Sequence, residues 1–313
     1  MQWIRSLTEV TQRDVLVAGG KGASLGEMIH AGIPVPPGFV LTAQTFDHVL
    51  SSHGAKSEVA ARCAQINIED MNSVEQTSEI LQGVIQGISI SEEIAAEIYE
   101  AFDALHTDVV AVRSSATAED GVTASWAGEL ETYLNTPRDQ VIEHIKKCWA
   151  SLFTPRALFY RCEKQLSANE ISVAVVIQKM VQSEIAGVAF TVHPVTEDPD
   201  QMIIEAVFGL GEALVGGYVT PDSYIVSKKS CAILEIHTGM QKKKLVRGKQ
   251  GNVWIDLDEE GGRQKLSKMD ISTLAELCKK IESHYGFPCD IEWAYHNGRW
   301  YMTQSRPITT LKK

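Results

Sequence analysis

The stretch VVAVRSSATAEDGVTASWAGELETYLN occupies residues 109–135. It begins with a short apolar run of mostly β-branched residues, Val109–Val112, which predicts a buried strand. Arg113 stands at the end of this predicted strand, and the small residues Ser114–Ala118 follow it. A phosphate chain is bound well by a guanidinium that makes paired hydrogen bonds, by hydroxyl groups and by unshielded backbone N–H groups. The segment is therefore a candidate phosphate-binding loop, although its composition alone favours an ordinary solvated loop after a strand.

A second run of small residues, Ala124–Gly128, surrounds Trp126 and predicts a loop that can close over a nucleotide. Together with Val112–Asp120 and with Glu131-Thr132, it resembles the nucleotide-binding domain shared by phosphoenolpyruvate synthase, pyruvate phosphate dikinase and rifampicin phosphotransferase. The resemblance implies that Arg113 contacts the phosphates of ATP. It also implies that Gly128 and Thr132 belong to the lid over the nucleotide.

The composition indicates a globular protein and limits the classes of partner. The chain has 313 residues, 44% of them hydrophobic and 22% charged, with a net charge of −11. This charge argues against nucleic acid as a partner, because phosphate neutralisation requires a basic surface. The six cysteines form no C-x-x-C pair, no apolar run reaches membrane-spanning length, and the N-terminus is not a secretory signal. We therefore expect a cytoplasmic protein without a membrane partner.

A glycine-rich turn near the N-terminus is a second candidate for phosphate binding. The sequence predicts a short strand over Val15–Ala18, a turn at Gly19–Gly22, and a helix over Ala23–Ala31 that Gly32 ends. The spacing is not that of a P-loop, and the turn on its own favours an ordinary strand-to-helix connection. The family resemblance extends over this segment and implies that Lys21 reaches the ATP phosphates.

Two further segments are candidates for binding the adenosine part. Ile171–Ile177 predicts a strand buried on both faces, and Gln178–Val181 predicts a hinge after it. The spacing alone favours an ordinary core role for Met180. The resemblance implies that Gln178, Met180 and the hinge backbone hold the adenine. It further implies that Glu205, on a predicted strand, and Glu212, after a glycine-rich turn, lie near the ribose.

The C-terminal region predicts a β-hairpin that carries polar side chains. Strands Asp290–Tyr295 and Arg299–Arg306 flank Asn297-Gly298, a strong hairpin signal. With a two-residue loop and regular strands, Glu292 would lie opposite Thr303. A three-residue loop with a glycine bulge would give a different register, and we predict this bulged loop.

The bulged loop would place Asp290, Glu292, Gln304 and Arg306 on one face of the hairpin. The opposite face would then consist of apolar residues: Ile291, Trp293, Tyr295 and Tyr301. Two carboxylates beside a glutamine and an arginine suit Mg²⁺ and phosphate oxygens. The alternative is a salt-bridged edge of a sheet. The resemblance favours the ligand role, with Glu292, Asp290 and Gln304 at the metal and with Lys21, Arg113, Glu292 and Arg306 as catalytic residues.

The resemblance covers residues 19–308 and implies an α+β, ATP-grasp fold in which lobes built on antiparallel sheets, with flanking helices, clasp the nucleotide. We expect one nucleotide-binding unit over 1–313 with approximate lobes 1–108, 109–185 and 186–313. The carrier-histidine and barrel domains of the family are expected to be absent. Composition does not show this fold; the resemblance implies it.

The implied function is ATP- and Mg²⁺-dependent phosphoryl transfer to a carrier histidine in trans, with release of AMP and with pyruvate as the eventual acceptor. Three alternatives remain open. The chain could be part of a rifampicin-type antibiotic phosphotransferase, or a stand-alone ATP-grasp kinase or ligase that releases ADP. It could also be a nucleotide sensor without turnover, although the joint presence of Lys21, Arg113, Glu292 and Arg306 argues against a sensor.

Overall fold

A computed structural model describes residues 2–117, 131–163, 172–249, 251–309 and 311. Within these ranges the α-helices are α1 (Val15–His30), α2 (Ala43–Ser52), α3 (Ala55–Ala64), α4 (Met71–Gly87), α5 (Glu92–Ala104), α6 (Val141–Ala150), α7 (Pro155–Glu163), α8 (Glu212–Val215) and α9 (Lys268–Tyr285). The β-strands are β1 (Ile4–Ser6), β2 (Gly38–Leu41), β3 (Val109–Ala116), β4 (Thr132–Pro137), β5 (Val173–Lys179), β6 (Ile185–Phe190), β7 (Gln201–Phe208), β8 (Asp222–Ser227), β9 (Ile233–His237), β10 (Lys243–Gly248), β11 (Gly251–Asp256), β12 (Cys289–His296) and β13 (Arg299–Pro307). Among the described residues, no helix is both long and apolar enough to cross a membrane.

The chain divides into two compact units. The first unit consists of Met1–Glu27 and Pro37–Met180, and the second of Met28–Pro36 and Val181–Lys313. Each unit has its own main sheet, and every strand pair within these sheets is antiparallel. The α+β class with antiparallel sheets and flanking helices, expected from the sequence, is therefore confirmed.

The first unit is built on a five-stranded sheet with the order β1-β2-β5-β3-β4. One face of this sheet, with Val110 and Val112 of β3, packs into an apolar core with residues of α2 to α7. The sequence pattern of α5 explains how one of these helices packs. The Ser91 hydroxyl accepts a hydrogen bond from the Ile94 N–H, and Ile94, Ile98 and Phe102 are buried on one stripe.

Helix α1 differs from the sequence-based prediction at its beginning. Val15–Ala18, predicted as a strand, is helical, and the glycine-rich turn is an interruption within the helix at Gly19 (φ 69°, ψ 174°). Four apolar residues before glycine fit a short strand and a buried helical turn equally well, so their pattern did not separate the two. Gly32, with φ 65°, ends the helix as predicted.

The second unit contains a six-stranded sheet with the order β13-β12-β6-β7-β8-β9 and a separate ribbon, β10-β11. Ile291, Trp293 and Tyr224 lie on one face of the large sheet and are fully or almost fully buried. Helix α9 contacts β7, β9 and β12. The edge strand β13 is partly covered by Met28–Pro36, because the Met302 N–H donates to the Pro34 carbonyl at 2.7 Å.

A buried ion pair fixes the connection between β8 and α9. The Lys265 ammonium donates to Asp222 at 2.8 Å and to the carbonyls of Gly239 and Gly261 at 2.7 and 3.2 Å. Asp222 also accepts from the Tyr224 hydroxyl at 2.7 Å and from the backbone N–H of Gly239 and of Lys265. Both side chains of the pair are completely inaccessible. All three ammonium donors thus have partners, which a buried charge requires.

Candidate functional site

The hairpin between β12 and β13 has its bulge in the strand rather than in the loop. His296 pairs with Arg299, so the loop is the two-residue turn Asn297-Gly298, with φ values of 48° and 75°. The predicted three-residue loop is therefore wrong. The register shifts between Glu292 and Trp293, leaving Thr303 as the extra residue of β13.

The strand bulge nevertheless produces the pairing that the sequence analysis expected. Glu292 pairs with Gln304, and Asp290 pairs with Arg306, so these four side chains share one face of the hairpin. The opposite face differs at one position. Tyr301 pairs with Ala294 and not with Tyr295, because the extra residue comes after it, and the partner of Trp293 is the buried Met302.

The face with Glu292 continues across the sheet as one row of paired residues. Gln304 pairs with Glu292, Glu292 with Val188, Val188 with Glu205, and Glu205 with Ser223. Adjacent strands lie about 4.8 Å apart, so the backbone positions of Glu292 and Glu205 are roughly 10 Å apart. The structure thus brings Glu205, predicted from a different segment, onto the same face as the hairpin residues.

Asp290 and Arg306 form an ion pair at one end of this polar face. The Arg306 Nη2 and Nε atoms lie 2.8 and 2.9 Å from Asp290 Oδ2. Burial raises the pKa of the Asp290 carboxyl, the guanidinium opposes this rise, and the nearby Glu292 carboxylate adds to it. One oxygen of the Asp290 carboxylate is therefore engaged by Arg306.

Glu205 is half-buried, and this burial raises the pKa of its carboxyl above the ordinary value. The folded protein thus holds the proton more tightly than the unfolded chain, and stability falls as the pH rises through the interval between the two pKa values. We expect Glu205→Gln to raise Tm by about 1–3 °C at pH 7, because the charge is removed.

This gain should disappear below pH 4, where Glu205 is protonated in both states. Thermal denaturation at pH 4 and pH 7 measures the difference. A variant that is less stable than the wild type at pH 7 would contradict the role of burial at this position.

Glu212 does not belong to this row. It begins the short helix α8 after Gly209, which has φ 85°, and its Oε2 accepts a hydrogen bond from Asn252 Nδ2 at 2.9 Å. The Glu212 carboxylate is thereby tied to the β10-β11 ribbon, so its predicted nucleotide contact stays a prediction.

In the first unit, β3 continues beyond Arg113 to Ala116 and pairs with β5 throughout. The predicted loop of unshielded small residues is therefore strand at Ser114 and Ser115, and both serines are completely buried. The Ser114 hydroxyl donates to the Glu131 carbonyl at 2.8 Å, and the Ser115 hydroxyl donates to the Ala18 carbonyl at 2.9 Å. The two hydroxyls thus bind carbonyl groups of the protein itself. The small side chains at these positions fit a closely packed part of the sheet.

Arg113 and Gln178 lie on one face of the first sheet. Gln178 pairs with Ala111. Arg113 is two residues after Ala111 in β3, so both residues lie on the same side of the strand. Both side chains are buried, with exposed fractions of 6% for Arg113 and 2% for Gln178. Helix α1, which carries Lys21, packs on this face, since a Cβ at Gly22 would lie 3.2 Å from Val40. Arg113 and Gln178, two of the predicted contacts to ATP, thus lie on the sheet face against which the helix carrying Lys21 packs.

Cys148 is a buried thiol whose electrostatic surroundings include Glu131 and Lys21. Burial and the Glu131 carboxylate raise the pKa of the Cys148 thiol, and the Lys21 ammonium acts in the opposite direction. Cys148 Sγ lies 3.8 Å from the carbonyl oxygens of Val112 and Glu131.

The remaining candidates of the first unit lie at strand ends. Thr132 begins β4 and pairs with Arg113. Strand β5 extends through Gln178 and Lys179, so the predicted hinge begins later, and the boundary between the compact units falls between Met180 and Val181. The Met180 N–H donates to the Val109 carbonyl. Gly128 and Ala118–Asp120 lie outside the described residues.

Comparison with known sequences identifies the family. Residues 15–313 match the family described as pyruvate phosphate dikinase, AMP/ATP-binding domain. The chain belongs to this family. The probable phosphoenolpyruvate synthase of Methanocaldococcus jannaschii is 42% identical over 322 residues, which cover 100% of this chain and 27% of that protein. The phosphoenolpyruvate synthase of Pyrococcus furiosus is 38% identical over 100% of this chain and 44% of its own length.

Members with other names are also similar to this domain. The rifampicin phosphotransferase of Bacillus cereus is 35% identical over 99% of this chain and 36% of that protein. The chain thus spans less than half the length of each of these relatives. Among solved structures, D-alanyl-alanine synthetase A of Vibrio cholerae has a TM-score of 0.36 and 9% identity, covering 91% of this chain and 57% of that one. We base no conclusion on this distant likeness.

The polar face of the second unit suits the hard cation that an ATP-binding domain of this family is expected to use. Carboxylate and amide oxygens are ligands that Mg²⁺ prefers, and one or two carboxylates are enough because water and phosphate oxygens complete the coordination. Glu292 and Gln304 provide such oxygens side by side. Within the described residues, no group of three His, Cys, Asp or Glu side chains is arranged for a metal. Glu292 and Gln304 thus fit a cation whose coordination is completed by water and phosphate oxygens.

Proposed function

We propose that this domain binds ATP and transfers its β- and γ-phosphates to a carrier histidine outside the chain, as part of a phosphoenolpyruvate synthase-like dikinase. The observation that supports the proposal best is the row Gln304–Glu292–Val188–Glu205 beside the Asp290–Arg306 ion pair. A sheet face that combines half-buried carboxylates, an amide and an arginine suits a triphosphate with its cation. Family membership, and similarity to phosphoenolpyruvate synthases over the whole of this chain, agree with this use.

The residues of both units have separable roles in this proposal. Lys21, Arg113 and Arg306 neutralise the phosphate oxygens, and so stabilise charge that redistributes during transfer. Glu292 and Gln304, with Asp290 held by Arg306, hold Mg²⁺. When bound, this cation supplies charge neutralisation between phosphate oxygens. The protein itself contributes position and electrostatics, since phosphoryl transfer needs no covalent protein intermediate at these residues.

The adenosine part is assigned to other residues of the proposal. Gln178 and the backbone at Met180 bind the adenine, while Glu205 and Glu212 lie near the ribose. Gly128 and Thr132 belong to the segment that closes over the nucleotide. These assignments are supported by the family resemblance of the segments, and for Gln178 also by its place on the same sheet face as Arg113.

Transfer to the carrier would proceed by attack of a neutral imidazole nitrogen on the β-phosphorus. The bond between the β-phosphorus and the oxygen of the α-phosphate breaks, AMP leaves with that oxygen, and the imidazole proton is lost to solvent. Water then cleaves the bond between the β- and γ-phosphates and the γ group leaves as inorganic phosphate, so pyruvate would receive the β-derived phosphoryl group only later, elsewhere in the larger enzyme. Since the relatives are more than twice as long as this chain, the carrier is expected on a further domain or subunit. A cytoplasmic location is part of the same proposal.

Product analysis tests the proposal directly. The full chain is incubated with Mg-ATP, alone and with a carrier-histidine domain from a phosphoenolpyruvate synthase, and the nucleotides are separated. We expect AMP only when the carrier is present, and no AMP with a carrier whose histidine is replaced by alanine. ADP from the chain alone would contradict the proposal and would indicate an independent kinase or ligase.

A second candidate is the nucleotide-binding part of an antibiotic phosphotransferase. The specific observation in its favour is the 35% identity to the rifampicin phosphotransferase over 99% of the chain. The ATP chemistry of this chain would be the same, and the acceptor would differ. The two candidates separate when the phosphorylated carrier is offered pyruvate or rifampicin, with the barrel-type or antibiotic-binding domain of the corresponding relative.

A further inference from the structure

At the interruption of α1, one hydrogen bond of the helix backbone is replaced by two hydrogen bonds to a side-chain hydroxyl. In a regular α-helix, the N–H of residue 22 would donate to the carbonyl of residue 18. Here the Gly22 N–H donates to Ser115 Oγ at 3.1 Å, and Ser115 Oγ donates to the Ala18 carbonyl at 2.9 Å. The hydroxyl of β3 therefore stands between the two backbone groups that would otherwise bond each other, which is one of the known causes of helix kinks.

The packing around Gly19 shows that this arrangement is closely fitted. A Cβ on Gly19 would lie 2.1 Å from the Ser115 carbonyl oxygen and 2.2 Å from Ser115 Oγ. Gly19 also has φ +69°, a conformation that side chains disfavour. Ser115 and Ala18 are completely buried, so water cannot replace the hydroxyl without rearrangement. Both the absent side chain at 19 and the hydroxyl at 115 are thus required for the kink.

Lys21 lies between the two residues of α1 that bond to the Ser115 hydroxyl. Its backbone is held between Ala18 and Gly22, both of which bond to Ser115. Arg113 lies two residues before Ser115 in β3, on the same side of the strand. A single hydroxyl therefore links the backbone that carries Lys21 to the strand that carries Arg113.

We propose that Ser115 is a positioning residue for phosphate binding, which sets the place of Lys21 relative to Arg113 by holding the kink of α1. The inference rests on the proposed function, because it requires that Lys21 contact the phosphates. Ser115 acts through the backbone and does not touch ATP. This role differs from the direct phosphate contact that a serine after Arg113 suggests in the sequence.

Removal of the Ser115 hydroxyl allows two responses of the backbone groups that it now binds. Gly22 N–H and Ala18 C=O can bond each other, which straightens the helix, or they can remain unpaired, which loosens the turn. Either response moves Lys21 away from its position. Since misplacement of a charged contact by about 1 Å strongly weakens it, the loss should appear in binding of the phosphates and not of adenosine.

The test measures binding of ATP and of adenosine to the full chain by calorimetric titration. For Ser115→Ala we expect about a 10-fold loss of affinity for ATP and a change within 2-fold for adenosine. Ser115→Thr, which keeps a hydroxyl, should bind ATP within about 3-fold of the wild type. Ser151→Ala removes another buried serine hydroxyl of the same unit, which donates to the Cys148 carbonyl, and serves as the matched control with unchanged affinities.

Combination with Lys21→Met separates the possible outcomes. If Ser115 acts through Lys21, the double variant should bind ATP no more weakly than Lys21→Met. Equal losses for ATP and adenosine in Ser115→Ala, or additive losses in the double variant, would overturn the positioning role. A Lys21→Met variant that binds ATP normally would instead refute the phosphate contact in the proposed function. Circular dichroism of each variant at the titration temperature verifies that it is folded, and the threonine variant tests the role if the alanine variant does not fold.

Discussion

Glu292→Gln is expected to lower the rate of AMP formation, measured with the carrier-histidine domain, by at least about 100-fold. The amide has nearly the shape of the carboxylate but lacks its charge, so the substitution removes electrostatic binding of the cation and leaves the strand pairing intact. Glu292 is only partly buried and pairs with Val188 and Gln304 through the backbone of the sheet. We therefore expect Tm to change by less than about 2 °C.

The dependence on Mg²⁺ concentration makes this prediction specific. If Glu292 holds the cation, the residual rate should require a higher Mg²⁺ concentration for half-saturation. Glu235→Gln is the matched control, because Glu235 pairs with Ile225 at the far edge of the same sheet and should keep the wild-type rate. A Glu292→Gln variant with normal turnover at ordinary Mg²⁺ would remove this residue from the metal site.

Lys265→Met is expected to cause the largest loss of stability, about 3–5 kcal/mol, or a fall in Tm of roughly 6–20 °C. Methionine fills a similar volume, so the loss arises mainly from the Asp222 carboxylate, which stays buried with no cation beside it. Two backbone carbonyls, of Gly239 and Gly261, also lose their donor. Thermal denaturation of the full chain followed by circular dichroism and calorimetry measures the effect.

A double variant distinguishes loss of the charge pair from loss of packing. Asp222→Asn combined with Lys265→Met removes both charges, and we expect it to be more stable than Lys265→Met alone. Lys279→Met provides the control, since Lys279 lies 3.8 Å from Glu276 in a partly exposed pair on α9 and its loss should cost less than about 0.5 kcal/mol. A cost below 1 kcal/mol for Lys265→Met would show that the buried pair contributes little.

The hairpin illustrates how far the sequence could predict the candidate site. The alternation of apolar residues along β12 requires Ile291 and Trp293 to face the core, and this constraint placed Glu292 with Gln304 and Asp290 with Arg306 correctly. The position of the extra residue was not determined, because a bulge at the loop and a bulge at Thr303 give the same pairing beyond it. The two positions of the bulge differ only in the pairing between the turn and Thr303, which includes Tyr301.

Signals for the ends of helices are local, and Gly32 was therefore predictable as the end of α1. Ser91 at the start of α5 and Gly286 at the end of α9 are caps of the same local kind. Strand β3 was predicted too short, since small residues after Val112 resemble a loop in composition. Their burial depends on contacts with α1 and β4, which are distant in sequence.

The buried pair of Asp222 and Lys265 could not be identified from its sequence. Asp222 follows proline in a turn-like segment, and Lys265 lies in a polar stretch before α9, so each alone is typical of an exposed residue. Their interaction depends on the pairing of β7 with β8 and on the path of the chain through Gly239 and Gly261. Tertiary structure, and no periodic pattern, brings these residues together.

The bond between the Pro34 carbonyl and the Met302 N–H has a consequence for folding during synthesis. Met28–Pro36 leaves the ribosome early, but the strand that it covers is made among the last residues described here. The first unit can complete its sheet once β5 has emerged, whereas the second must wait for β12 and β13 before this early segment finds its partner. A fragment that starts at Val181 would therefore lack part of its own edge protection, and its β13 would offer an unpaired N–H to other chains.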